Sequence, residues 1–331
     1  MLSVIIVTYN SSAHIAACLD ALKDKAAEVV VVDNASSDGT AELVRKSYPP
    51  VKLIACETNL GFAAGANLGA RRSAAEFLLF LNPDTACLDL LDPLEEALAS
   101  SRQAAAVAPR LVAEDGQTQL GFTVRRLPSV WFLVFEMLLL NRLFPRNPIN
   151  RKYRCLDLDL AHPSEVEQPA GACLLVRRDR FEACGGFDEA FYPLWFEDID
   201  LCKRLREHGG TILFLPHVRV QHRGAHSLES VTFAEKQIYW YRNMLYYGKK
   251  HFPRGSGVVL RGALLAGMGL RAAAELLRSP AQSQIPPRSE RLRAYWNAAK
   301  LSFAKIRSAT GERVVTPRLP SSTEGGWLGE K

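Results

Sequence analysis

The first hundred residues alternate short β-branched apolar runs with stretches of helical periodicity. The runs are VIIV at 4–7, VVVV at 29–32, KLIA at 52–55 and FLLFL at 77–81. The alternation of these runs with helix-like stretches predicts βαβ units and a parallel sheet. In such a sheet ligands bind beyond the carboxyl ends of the strands, where loops meet helix N-termini. The polar clusters fall at those ends: Thr8-Tyr9-Asn10 after the first run, Asp33 to Thr40 after the second and Asn82-Pro83-Asp84-Thr85 after the fourth. Gly65 and Gly69 lie four apart in NLGFAAGANLGA, a small-residue face for a helix packed close to the sheet, whereas Asn59-Leu60-Gly61-Phe62 looks like a loop facing a ligand.

Between about 165 and 225 the pattern predicts a strand at Ala172 to Val176. The stretch FYPLWFEDIDLCKRLREHGG then becomes a helix closed by Gly209 or Gly210. Asp198 falls near the start of that helix, where the dipole favours an ionised carboxylate. Two further segments, 129–144 and 257–277, are unusually apolar, but Glu136 interrupts the first and Arg261 and Arg271 the second. Neither reaches the charge-free span of about 20 residues that a membrane crossing needs, so both are expected to lie on a bilayer with their arginines in the headgroups. Buried helices or a homodimer seam are the equal alternative. Beyond about 279, Pro, Ser, Arg and Gly predominate, predicting a loosely ordered tail with one helix around 289–307.

Composition narrows the class of protein. Of 331 residues 48% are hydrophobic and 23% charged, which excludes general disorder. The seven cysteines lie far apart with no C-x-x-C pair, and the chain opens directly into an apolar strand, so a reducing, cytoplasmic setting is expected. Residues 241–331 carry 16 Lys/Arg against 5 Asp/Glu, leaving 25 against 30 for the body. A basic, amphipathic C-terminal region on an acidic body suits an anionic membrane surface on the inner face of the cell membrane. Nucleic acid is a poorer partner, because the basic residues are not interleaved with exposed aromatics over a defined domain.

Transfer of a glycosyl group from a nucleoside diphosphate would need a grip on the nucleotide, a cation for the departing diphosphate and a base for the attacking hydroxyl, and the residues offer a candidate for each. Asp33, with Thr8 and Asn10 beside it, is placed to hold the nucleotide, while Asp38 reads as a helix cap. Asp84, pushed out past the fourth strand, can bind Mg2+ or Mn2+, because such ions need only one or two protein carboxylates when diphosphate oxygens and waters complete the shell. His222, with His217 and His226 as competitors, can supply an imidazole to that ion. Asp198 of the Glu197-Asp198 pair is the candidate base, and a single displacement would invert the anomeric centre.

Taken in order, VIIVTYN, VVVDNASSDGT, NLGFAAGANLG, FLNPDT, AGACLLVRRDRFEACGGFDEAFYPLWFEDIDLCKRL and VQHRGAHS resemble glycosyltransferase family 2, in particular its rhamnosyltransferase-like bacterial members. The resemblance covers roughly residues 1–250. It implies a GT-A fold, a Rossmann-like α/β arrangement of a mostly parallel sheet flanked by helices, to which the C-terminal amphipathic helices would be added. It also implies a nucleotide-sugar donor, with rhamnose favoured, a divalent cation and a lipid-linked or polysaccharide acceptor.

By position in those motifs, Thr8, Tyr9, Asn10, Asp33, Asn59, Gly61, Asn67, Asn82 and Asp84 look like the donor side. Asp84 and His222 look like the metal ligands, Asp198 with Glu197 like the catalytic pair, and Gly171, Ala172 and Trp195 like the acceptor floor. Asn82 stands where the first Asp of the D-x-D element usually falls. The expected division is a nucleotide-sugar half over 1–105, an acceptor and catalytic half over 106–250 and a membrane-associating region over 251–331. Two other readings compete. A sugar nucleotidyltransferase would need a Gly-rich basic loop after the first strand, which TYNSSAHIAA is not, and an inactive nucleotide-binding scaffold at the membrane would not need Asp84 or Asp198.

Overall fold

The structure is a computed structural model that describes residues 1–26, 28–224, 231–277 and 286–305. The chain opens with β1 (Leu2–Thr8), α1 (Ile15–Asp20), β2 (Glu28–Asp33), α2 (Thr40–Ser47), β3 (Lys52–Ala55), α3 (Phe62–Arg71) and β4 (Phe77–Leu81). All four apolar runs are strands. Then come β5 (Thr85–Cys87), α4 (Asp92–Ser100), β6 (Ala104–Val112), β7 (Val124–Arg125), α5 (Val130–Met137), α6 (Leu140–Leu143) and α7 (Pro148–Tyr153). The second half holds β8 (Ser164–Glu165), β9 (Gln168–Pro169), β10 (Cys173–Arg177), α8 (Arg178–Ala183), α9 (Glu197–Glu207) and β11 (Thr211–His222). Three helices close it: α10 (Phe233–His251), α11 (Ser256–Leu277) and α12 (Arg288–Lys300).

The main sheet runs β3-β2-β1-β4-β10-β6-β11-β5, with β8 also paired to β11. β3, β2, β1 and β4 are parallel, β10 is inserted antiparallel between β4 and β6, and β11 runs parallel to β6. Alternate residues of each strand feed two separate cores. Val4, Ile6, Leu79 and Leu175 pack on one face, and Ile5, Leu78, Phe80 and Leu174 on the other. Burial of both faces is why these strands read as unbroken apolar runs rather than alternating ones. On the second face α3 lies very close, since a Cβ at Gly65 would stand 2.9 Å from Val7 and one at Gly69 2.5 Å from Ile5. Asp38 accepts from the Thr40 amide at 3.1 Å and also from the Ser12 amide at 2.9 Å, so it opens α2 and ties the two donor-side loops together.

A third core is built by α5, α10, α11 and α12 around Phe132, Met137, Met244, Leu264 and Tyr295. It corrects the expectation that Arg261 and Arg271 reach into headgroups. Arg271 donates to the carbonyls of Met137 and Gly267, and Arg261 to those of Leu301 and Ser302. The last carbonyls of a helix have no partner within it, and these guanidinium groups satisfy the ends of α5 and α12 from inside the bundle. Arg291 likewise pairs with Glu275 at 2.6 Å.

Among the described residues α11 is the one helix with the length and apolarity of a membrane span, yet Leu260, Leu264 and Met268 are buried against its neighbours. Its other side presents Val258, Val259, Leu265, Leu270, Leu276 and Leu277, all exposed. The helix expected in the tail is α12, and residues 306–331 lie outside the described residues.

Candidate active site

A cleft of about 850 Å³ opens at the carboxyl ends of β1 and β4. Thr8, Tyr9, Asn59, Gly61, Asn82 and Asp84 line it from the first half of the chain, and Gly171, Ala172, Trp195, Glu197, Asp198 and His222 from the second.

Asp84 and His222 meet because β5, which begins directly after Asp84, pairs antiparallel with the end of β11, setting Thr85 opposite His222. His222 Nε2 then lies 3.7 Å from Asp84 Oδ2, with both side chains almost fully buried. Gln119 Oε1 stands 3.1 Å from His222 Nδ1, while Gln119 Nε2 donates to the His222 carbonyl at 2.7 Å. A carboxamide oxygen only accepts, so Nδ1–H donates to it and Nε2 turns toward Asp84. Phe122 stacks on the ring at 5.2 Å and fixes its plane.

Asp84 Oδ1 is buried without a hydrogen-bond partner, which is costly for a carboxylate. A carboxylate oxygen and an imidazole nitrogen at this spacing fit two positions in the shell of one divalent cation. Among the described residues no group of three or more His, Cys, Asp or Glu is placed to hold a metal ion, so oxygens from outside the protein would have to complete that shell. His217 is exposed, and His226 lies outside the described residues.

Glu197 and Asp198 open α9, as the sequence predicts, and the aromatic loop before them aims them inward. Trp195 and Phe196 both adopt φ 75°, a left-handed conformation that costs of order 1 kcal/mol or more per residue and persists only when its surroundings hold it. Asn243 of α10, fully buried, supplies that hold by donating to the carbonyls of Tyr192, Leu194 and Trp195 at 3.3, 2.8 and 3.2 Å. From the donor side, the Phe62 amide donates to the Pro193 carbonyl at 2.7 Å.

Asp198 Oδ2 accepts from the Gly171 amide at 3.1 Å and from Gln168 Nε2 at 3.3 Å, and Oδ1 accepts from the Ile199 amide at 2.8 Å. Gly171 allows this contact, since a Cβ there would stand 2.8 Å from Asp198 Cβ. Glu197 is in a different state. Burial first, and the neighbouring Asp198 charge second, hold its carboxyl well above the usual range, and its Oε2 has no hydrogen-bond partner. The pair is therefore a neutral acid beside a hydrogen-bonded carboxylate. Asp200 sits behind it, with His251 Nε2 at 2.6 Å, Lys250 Nζ at 2.8 Å and Arg204 at 2.7 Å. Burial alone would raise the Asp200 carboxyl, but these three partners hold it below its ordinary value.

Three residues assigned to the donor side do not line the cleft. Asn67 needs a correction: its side chain turns away, donating to the Phe187 carbonyl at 2.8 Å and accepting from the Phe187 amide at 2.9 Å, so it fastens α3 to the 186–189 loop. Asp33 stands one layer back, its carboxylate occupied by Thr8 Oγ1 at 2.8 Å, Ser36 Oγ at 2.6 Å and the Ser36 amide at 3.0 Å. Asn10 braces the same loop through the Ser36 hydroxyl and the Ser37 amide. Sequence reading missed Gln119, Phe122, Arg125, Gln168 and Asn243, which lie in no recognisable motif and reach the site only through tertiary pairing.

A model of glycosyl transferase family 2 matches residues 3–157, and a model of glycosyltransferase-like family 2 matches 149–243. An N-acetylglucosaminyl-diphospho-decaprenol L-rhamnosyltransferase of Mycobacterium tuberculosis is 32% identical over 244 residues, 69% of this chain and 77% of that protein. Rhamnosyltransferase WbbL of Escherichia coli is 26% identical over 254 residues, 73% and 89% of the two chains. Among solved structures, a mannosyltransferase from Pyrobaculum calidifontis in complex with GDP-mannose and Mn2+ shares the fold with a TM-score of 0.51, at 18% identity, over 91% of this chain and 84% of that one. The sheet with its antiparallel insertion is thus the GT-A fold, and with rhamnosyltransferases similar along most of their own length, the chain belongs to glycosyltransferase family 2, among its rhamnosyltransferase-like members.

Proposed function

We propose that the protein is an inverting, metal-assisted transferase that moves a sugar, rhamnose by kinship, from a nucleoside diphosphate to a hydroxyl of a saccharide carried on a lipid. The observation that carries this reading is the presence in one cleft of Asp198, held by three donors, and of the Asp84–His222 pair with an unsatisfied carboxylate oxygen.

In this mechanism the Asp198 carboxylate takes the proton of the acceptor hydroxyl as that oxygen attacks the anomeric carbon from the face opposite the diphosphate. One displacement inverts the centre. Gly171, Gln168 and the Ile199 amide keep the carboxylate aimed, and neutral Glu197 can donate to an acceptor oxygen without competing for the proton. Asp84 and His222, oriented by Gln119, would hold Mg2+ or Mn2+, which when bound supplies positive charge against the departing diphosphate. Thr8, Tyr9, Asn34 and Asn59 line the nucleotide end, with Asp33 and Asn10 bracing their loops. The proposed division of labour follows: 1–105 for the donor, 106–250 for acceptor and chemistry, and 251 onward for docking to the cytoplasmic membrane surface.

That docking reading rests on the outward face of α11 and on α12, where exposed Trp296 lies 5.7 Å from Lys300 Nζ and Arg293 is also exposed. Apolar residues bordered by Trp, Lys and Arg suit the interface of an anionic bilayer.

The test is a thermal-shift screen against dTDP, UDP and GDP, with and without Mn2+ or Mg2+. A ligand that binds only the native state raises its stability. One nucleotide should raise the melting temperature by several degrees, and more with metal; no shift with any combination would overturn the proposal.

A further inference from the structure

We infer that Arg125 is the acceptor's phosphate receptor: it binds the diphosphate that joins the acceptor saccharide to its lipid. This rests on the reading above that Asp198 receives the acceptor hydroxyl. β7 pairs with β9 so that Arg125 stands opposite Gln168, and both side chains reach toward Asp198 Oδ2. The Arg125 guanidinium is 18% exposed, lies 5.3 Å over the Phe122 ring and lines the cleft. Its nearest approach to Asp198 is 3.8 Å, beyond hydrogen-bond reach, and its Nε has no partner.

Asp198 does not need Arg125 for its orientation, since three shorter bonds already fix both oxygens. A guanidinium offers five donors in a planar fork; Tyr153 and Asp198 face this one, and its buried Nε has no partner, which is unfavourable unless a ligand supplies an oxygen. Phosphate oxygens match that fork in charge and geometry. Position favours the acceptor: the guanidinium stands 3.8 Å from Asp198 Oδ2, so a phosphate bound to it would lie beside the hydroxyl that Asp198 receives. Beyond Arg125 the cleft continues along Phe132, Leu133, Phe196 and Trp240, apolar walls contributed by the helical bundle and the α9 loop. A lipid chain leaving the diphosphate would find these apolar side chains to lie against. The donor's own diphosphate is assigned to the Asp84–His222 end.

The experiment compares two acceptors with dTDP-rhamnose and Mn2+: N-acetylglucosamine diphosphate on a ten-carbon prenyl chain, and the octyl glycoside of N-acetylglucosamine, which keeps the sugar and an alkyl tail but has no phosphate. In Arg125→Met the ratio of kcat/KM for the diphosphate acceptor over the glycoside should fall about ten- to hundredfold, the usual weight of a charge-assisted pair. Binding of dTDP with Mn2+ should stay within about twofold of the unaltered protein, because no donor contact is removed. Arg125→Lys keeps the charge without the fork and should lose the ratio only in part. It carries the test alone if the Met variant does not fold, and an unchanged ratio in it overturns the proposal.

An equal fall with both acceptors would make Arg125 a structural neighbour of Asp198 and overturn the assignment. Weaker dTDP binding with the ratio intact would move it to the donor and overturn it too. If the unaltered protein binds dTDP yet glycosylates neither acceptor, the lipid-linked acceptor itself is wrong, a failure visible before any variant is made.

Discussion

The two ends of the cleft are built in opposite ways. At the proposed donor end, Thr8, Asp33, Asn34, Ser36 and Asn59 come from the last residues of β1 and β2 and the loops after β2 and β3, and they bond mainly within those segments. At the acceptor end, Asp198 is aimed by Gly171 and Gln168, both about thirty residues upstream, while its loop is held by Asn243, almost fifty downstream. Among the described residues, the buried polar atoms left unpaired around the cleft are Arg125 Nε, Gln168 Oε1 and Glu197 Oε2 at the proposed acceptor end and Asp84 Oδ1 where the diphosphate is proposed to sit. Loops whose side chains bond to one another can be finished before a ligand arrives. A region that must receive a particular acceptor keeps donors and acceptors in reserve, at a cost to stability.

Three substitutions sharpen that contrast. Asp198→Asn should have the largest effect, lowering kcat by about a thousandfold, as expected for loss of a general base, while nucleotide binding by thermal shift stays intact. Near-normal turnover would remove Asp198 from the base role. Asn243→Ala comes next. It frees a strained loop without touching a ligand, and loss of catalytic alignment should cost about tenfold or more in kcat. The KM for the donor should change little, and an equal rise there would mean that the loop serves both ends.

Glu197→Gln should have the smallest effect and the opposite sign on stability. The folded state raises the Glu197 pKa, so its stabilising protonated form is fully present below the ordinary carboxyl value and is lost as the pH climbs toward the folded one. Gln escapes that loss. The variant should melt about 2 °C above the parent at pH 8, with the gap closing near pH 4. A gap independent of pH would mean that Glu197 is not neutral in the fold.

The same contrast explains what could be read from sequence. The strands β1, β2 and β4 were legible because burial on both faces leaves a continuous apolar run, the half-exposed edge strand β3 because of its spacing from them, and Asp84 and Asp198 because each directly follows or opens a recognisable element. Asn67 misled, since its place in NLGFAAGANLG says nothing about which way a buried side chain on α3 turns. Arg261 and Arg271 misled for a related reason. A lone arginine in an apolar helix has the same pattern whether it meets lipid headgroups or the carbonyl ends of neighbouring helices, and only packing decides. Arg125 and Asn243 gave no signal because their partners lie in distant segments.

α10 begins at the cleft, which its Glu235, Tyr239 and Trp240 help to line, grips the loop before Asp198 through Asn243 midway and ends with Lys250 and His251 on buried Asp200. Its remaining side is covered by α11 and α12, which bury Tyr241, Met244 and Leu245. A shortened chain ending near residue 250, the natural choice for anyone seeking a better-behaved protein free of its apolar end, would therefore not be a trimmed enzyme. It would expose the inner face of α10, take His251 from Asp200, and give an inactive preparation easily mistaken for proof that catalysis resides in the discarded part.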